Sequence, residues 1–194
     1  MVRESSKERI AETALAILEA EGADAVTMRR VAAEAGVTPM ATYKHFANRD
    51  ELLRTVADAG FARVAATWDR REANADFLTR FLNLCEDLLD FALGKPHLYA
   101  FLLTDRREDA RRFPEDFAGG GSAAFSPVVE VVRQGIAEGA LRDDDPVEMA
   151  LAITTSAQGL LQMYTSRRIG LPEDAFRDLL RRTSLRVVDG LRAR

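Results

Sequence analysis

Apolar residues recur at intervals of three and four along most of the chain, the period of helices that turn one face to a core. Over residues 5–21, Ile10, Ala14, Ile17 and Leu18 share a face. Ser5 followed by Glu8 fits a capping box, and Gly22 stands where a helix ends in the left-handed region. Met28, Val31, Ala32 and Ala35 make a second stripe, capped by Thr27 and stopped at Gly36, with Val26 and Val31 placed as a hydrophobic staple. Thr38 and Pro39 open a third short helix, which carries Tyr43, Lys44 and His45 and ends before Phe46. Its staple would pair Val37 with Thr42, a weaker contact than an aliphatic residue makes. Asn48 and Glu51 start a long fourth helix through Leu52, Leu53, Val56, Ala57, Phe61, Val64 and Trp68. Twenty such residues span about 30 Å.

The period continues in a fifth helix over about 74–94 (Phe77, Phe81, Leu84, Leu88, Phe91) and a short sixth from Pro96 to about Leu103. Residues 104–125 are charged, contain Gly119-Gly120-Gly121, and read as a mobile loop with a short helix possible near 108–112. Ser126-Pro127 opens a seventh helix ending near Gly139. Asp145-Pro146-Val147-Glu148 supplies cap, proline and acid for an eighth, running to about Arg168 with Met149, Ile153, Ser156, Ala157, Leu160 and Tyr164 on its stripe. After Gly170-Leu171-Pro172, a ninth carries Phe176, Leu180, Thr183, Val187 and Leu191. No alternating strand pattern competes, so the fold class is all-α with about nine helices.

Composition adds three constraints. With 194 residues, 47% of them hydrophobic, the chain can bury a real core. The net charge of -4 excludes a uniformly basic coat, yet between Thr27 and Arg49 the charges are Arg29, Arg30, Lys44 and Arg49 against Glu34 alone. Cys85 is the single cysteine and sits in an apolar run, which makes it a buried structural thiol. It has no close spacing to His45 or His97, so no metal site and no cofactor are expected. No apolar run is long enough for a membrane span, and the first residues lack the apolar segment of a secretory signal, so the expected location is cytoplasmic.

Two short helices around a glycine form the pattern of a helix-turn-helix, whose second helix can lie in the major groove. That helix would turn Thr38, Pro39, Met40, Thr42, Tyr43 and Lys44 toward DNA. Thr, Pro and Met can touch a thymine methyl, and Lys44 can reach a guanine edge or a phosphate. Thr27 and Arg49 lie at helix N-termini, where backbone N–H groups favour a phosphate, and Arg29 is a further candidate. Each has a plainer reading as a cap, a solvated charge or part of the small core.

Residues 10–56 resemble the DNA-binding domain of TetR-type transcriptional regulators. The resemblance rests on Thr27-Met28-Arg29-Arg30-Val31-Ala32-Ala33-Glu34-Ala35-Gly36-Val37, then Tyr43-Lys44-His45-Phe46, then Asn48-Arg49-Asp50-Glu51-Leu52-Leu53. The chain departs from the family at Thr42 and Met40, where an aliphatic and a small residue are more common. The resemblance implies a three-helix DNA-binding domain over 1–50, joined through the fourth helix to a ligand-binding and dimerisation domain over 51–194. It implies that Tyr43 and His45 contact the DNA backbone. It also raises a ligand cavity above a guess, with Phe61, Trp68, Phe81, Phe91, Tyr99, Phe101, Phe113 and Phe117 as lining and Gln158 and Tyr164 as polar contacts. Core packing is the competing role for each of these. The expected partners are a double-stranded, pseudo-palindromic operator, a small partly apolar ligand, and a second copy of the chain held through helices at about 146–168 and 172–192. The expected activity is repression relieved by the ligand. An activator or a protein-responsive regulator of the same fold fits too. A helical enzyme is the distant alternative, because no nucleophile–base pair or phosphate loop is visible.

Overall fold

The computed structural model describes residues 5–68, 75–106, 112–115, 117 and 125–193. Among them run α1 (Ser6–Glu21), a 3₁₀ turn (Ala23–Ala25), α2 (Met28–Glu34), α3 (Pro39–His45), α4 (Arg49–Trp68), α5 (Phe77–Gly94), α6 (Pro96–Leu103), α7 (Ser126–Ala137), α8 (Pro146–Thr165) and α9 (Glu173–Gly190). The caps read from the sequence are present. Ser5 accepts from the Glu8 N–H and Glu8 accepts from the Ser5 N–H, which also holds the Glu8 carboxyl below its ordinary pKa. Asp145 accepts from the Val147 and Glu148 amides at 2.7 and 3.0 Å. Most of the segment expected to be a mobile loop, 107–111, 116 and 118–124, lies outside the described residues.

The chain forms two compact units: Met1–Arg63 with Leu93–Ala110, and Val64–Ala92 with Arg111–Arg194. In the first, Ile10, Leu15 and Leu18 of α1 are buried with Val31 of α2, Phe46, and Leu52 and Val56 of α4. The same unit takes in α6, distant in sequence. Leu98 and Leu102 of α6 abut Gly60 on α4, where an added Cβ would stand 3.1 and 3.4 Å from their methyls. Lys95 pairs with Glu19 at 2.8 Å, and Arg63 pairs with Glu12. α1 therefore anchors both α4 and α6.

The second unit is built from α5, α7, α8 and α9. Phe77 and Phe81 stack with centroids 6.0 Å apart. Gly135 on α7 is held so close to Phe77 and Leu141 that a Cβ there would stand 2.7 Å from the ring and 2.8 Å from the leucine. Arg177 on α9 reaches Glu86 and Asp90 on α5 as well as Glu173 in its own helix, at 2.9 to 3.1 Å. The stripes read on the last two helices prove to be mostly inward-facing. Met149, Ile153 and Ala157 of α8 and Phe176 and Leu180 of α9 are buried within this one copy, and Tyr164 stacks on Phe176 at 3.9 Å. Ala152, Thr155, Gly159 and Met163 remain exposed along α8. No helix of the described residues is long and apolar enough to cross a membrane.

Candidate nucleic-acid interface

The turn between α2 and α3 is fixed by backbone chemistry. Gly36 adopts φ +65°, the left-handed conformation that glycine takes without a Cβ penalty. The Val37 N–H then donates to Ala32 O at 2.9 Å and the Gly36 N–H to Ala33 O at 3.2 Å. The neighbouring carbonyl, Ala35 O, accepts from Arg9 Nε of α1 at 3.1 Å. Thr27 caps α2 and Thr38 caps α3, each hydroxyl accepting an amide N–H at 3.2 Å. An accepting hydroxyl keeps its own proton, so both caps can still donate to a phosphate.

The faces of α3 divide cleanly. Met40 is 69% and Tyr43 50% exposed, and Thr38, Pro39 and Lys44 are exposed beside them. His45 is half-buried. Thr42 departs from expectation: it is completely buried. Thr42 and Phe46 are four residues apart on the inward side of the helix, so Thr42 packs the core and is withdrawn from the DNA-facing set. Its hydroxyl is buried with no hydrogen-bond partner.

Arg49 also has a task that the sequence did not disclose. Its Nε donates to Val26 O at 2.7 Å and its Nη2 to Ala23 O at 2.6 Å. The guanidinium ties the start of α4 to the turn before α2, so its first role is structural. Arg30 is spent on Glu21 and Glu34. The Glu21 hydrogen bond is the main cause of its raised pKa, and Glu21 is lowered in turn. Arg29 and Lys44 are exposed. Among the sequence-derived DNA candidates, Thr27, Arg29, Thr38, Pro39, Met40, Tyr43 and Lys44 thus reach solvent, and His45 does so in part.

Residues 10–56 match the family model described as bacterial regulatory proteins, tetR family. Residues 81–186 match the model described as tetracyclin repressor-like, C-terminal domain, which is more than half of the chain. The chain belongs to the TetR family.

As a TetR-family protein it is a DNA-binding transcriptional regulator. Solved structures repeat the fold. A protein of unknown function from Rhodococcus sp. RHA1 is 27% identical, with TM-score 0.78 over 98% of this chain and 97% of that one. A TetR-family transcriptional regulator from Pectobacterium atrosepticum is 18% identical, with TM-score 0.72 over 97% and 95%. FadR from Bacillus subtilis, solved in complex with stearoyl-CoA, is 12% identical, with TM-score 0.73 over 94% and 98%. No curated protein matches the chain.

The ten ligand candidates are divided between the two units. Phe61, Tyr99 and Phe101 belong to the first; Trp68, Phe81, Phe91, Phe113, Phe117, Gln158 and Tyr164 belong to the second. Tyr99, Phe101, Phe81 and Phe91 are buried, and Phe61, Trp68, Gln158 and Tyr164 are half-buried. Phe113 is exposed and lies edge-on to Phe117, which in turn meets Phe125 at 4.9 Å. Tyr164 has core packing as its visible role, through its stack on Phe176. Neither unit gathers the whole set by itself.

Proposed function

We propose that this TetR-family regulator is a repressor that binds a pseudo-palindromic operator as a homodimer and leaves it when a small, partly apolar ligand binds. The observation that supports the reading head is the division of α3: Thr42 and Phe46 hold the helix from within, while Met40, Tyr43 and Lys44 stand outward. Thymine methyls suit Met40, and Lys44 suits a guanine edge or a phosphate. Tyr43 and His45 serve the backbone and set register.

The dimer is assigned to α8 and α9, across the outward face that carries Ala152, Thr155, Gly159 and Met163. A two-fold pair places two reading helices about 34 Å apart or a multiple of it, one per half-site. The sequence-derived division, with DNA reading in 1–50 and ligand binding in 51–194, goes with this mechanism. The stearoyl-CoA bound by FadR supports a ligand with an apolar part, since the folds are alike. A ligand that favours a different spacing of the heads shifts the population away from DNA. Such a protein works in the cytoplasm.

A gel shift with DNA from upstream of the protein's own gene tests the reading. Binding is selective and weakens with salt. Tyr43→Ala and Lys44→Ala each lower the affinity. Variants that bind as well as the parent overturn the role of α3, and a bound ligand that leaves operator affinity unchanged overturns ligand release.

A further inference from the structure

We infer that Lys7, on the first turn of α1 and outside the helix-turn-helix, is a phosphate contact of the reading head. This rests on α3 being the DNA reader, and it extends the interface to a helix that the sequence motif does not include.

The first support is a sorting of the cations in the first unit by what they already hold. Arg9 is given to Ala35 O, and Arg49 to Val26 O and Ala23 O. Arg30 goes to Glu21 and Glu34, Arg63 to Glu12, and Lys95 to Glu19. Lys7, Arg29, Lys44, Arg54 and Arg106 are exposed and have no acid partner among the described residues. A cation retained without an acid is available to an outside anion.

The second support is placement, which separates Lys7 from Arg54 and Arg106. The Lys7 ammonium lies 5.7 Å from the centroid of the Phe46 ring. Attraction between the ammonium and the ring face holds the side chain there. Phe46 is the residue that ends α3, directly after Lys44 and His45. One end of the reading helix therefore collects Lys7, Lys44 and His45 from two different helices. The acids nearest in sequence, Glu8, Asp50 and Glu51, form no ion pair with any of the three among the described residues, and Glu8 and Glu51 are turned to the Ser5 and Ala47 amides. A phosphate of the operator backbone is the anion that completes this group.

The chain's lysines are Lys7, Lys44 and Lys95, which makes amine footprinting decisive. The full-length protein is reductively methylated with and without a short random-sequence duplex, and each lysine is read by mass spectrometry. Lys7 and Lys44 are protected by the duplex, and Lys95, paired with Glu19 near the far end of α1, is not. In parallel, the slope of log affinity against log salt on the same duplex falls in Lys7→Gln by about 0.9 for each phosphate that is no longer neutralised, or about 1.8 for a dimer. Lys7→Arg keeps the slope, and Lys95→Gln, with the same change of charge, keeps it too. Protection of Lys44 while Lys7 reacts as in the free protein overturns this inference and leaves the role of α3 standing. Loss of protection at both lysines overturns the two together. Equal protection of Lys95, or an unchanged slope in Lys7→Gln, also overturns it.

Discussion

Replacing Thr42 by valine removes one buried hydroxyl and makes the protein more stable. Thr42 is completely buried in α3 and its Oγ1 has no partner. Other helical threonines of the chain avoid this state by donating to the carbonyl four residues back: Thr13 to Arg9 O at 2.8 Å, Thr55 to Glu51 O at 3.2 Å and Thr154 to Ala150 O at 2.9 Å. For Thr42 the corresponding acceptor, Thr38 O, already takes the Ala41 and Thr42 amides. An unsatisfied buried hydroxyl costs about 1–3 kcal/mol. Valine removes that penalty and adds a methyl worth about 0.8 kcal/mol of burial, against a packing strain of about 1 kcal/mol where the site is tight. The net is a stabilisation of about 1–3 kcal/mol, read as a Tm increase of about 2–12 °C for a chain of this size unfolding in one transition. Thr42→Ala removes the same hydroxyl but leaves space behind, and gains less. Because the side chain faces inward, operator selection with Thr42→Val returns the parent's base preferences. An unchanged or lowered Tm refutes the orphaned hydroxyl, and a changed base preference refutes the inward placement.

Arg49→Ala breaks two charge-assisted hydrogen bonds to Val26 O and Ala23 O and lowers stability by about 2 kcal/mol in urea unfolding. Arg49→Lys recovers little, because an ammonium lacks the fork that spans both carbonyls; full recovery refutes the clip. A Cβ added at Gly159 would meet nothing within 4 Å in one copy, so Gly159→Leu leaves the monomer fold intact and weakens the dimer in sedimentation measurements; an unchanged dimer places the interface elsewhere. Burial pushes the Cys85 thiol up to about 12, so a thiol reagent labels it only in denaturant at neutral pH. The same shift makes stability fall with rising pH above the ordinary thiol value of 9.0, where the unfolded chain ionises and the folded one does not. Native-state labelling at the rate of a free thiol removes that argument.

The helices are legible because their signals are local. Ser5 with Glu8, Asp145 with Pro146, and Gly36 between two short apolar stripes each act within one turn, and the structure realises each of them. What stays hidden depends on residues far apart in sequence. Periodicity shows that α8 has an apolar stripe but not which neighbour covers it, and the stripe of Met149, Ile153 and Ala157 is covered inside the same copy. Thr42 reads outward with its neighbours on α3, although its spacing from Phe46 already places both on one side. The grouping of α6 with the first unit depends on Gly60, Leu98 and Leu102 meeting across a long stretch of chain, which no local pattern records.

The charges of the reading head show the same limit more sharply. The sequence offers four cations, Arg29, Arg30, Lys44 and Arg49, in the segment that carries the motif, and by charge each could meet a phosphate. Their partners make them unequal. Arg30 is paired with the carboxylates of Glu21 and Glu34, and Arg49 keeps its charge but commits Nε and Nη2 to two carbonyls, so two of the four have donors turned to holding the helices together. An anion approaching from outside finds fewer free donors among them than the local count implies. In a chain that is acidic overall, a cation from beyond the motif adds to the attraction for a polyanion. Lys7 is such a cation, set beside the aromatic ring that closes α3. Phe46, which by residue type and position belongs wholly to the core, is in this way both the inner anchor of the reading helix and the seat of a charge on its rim.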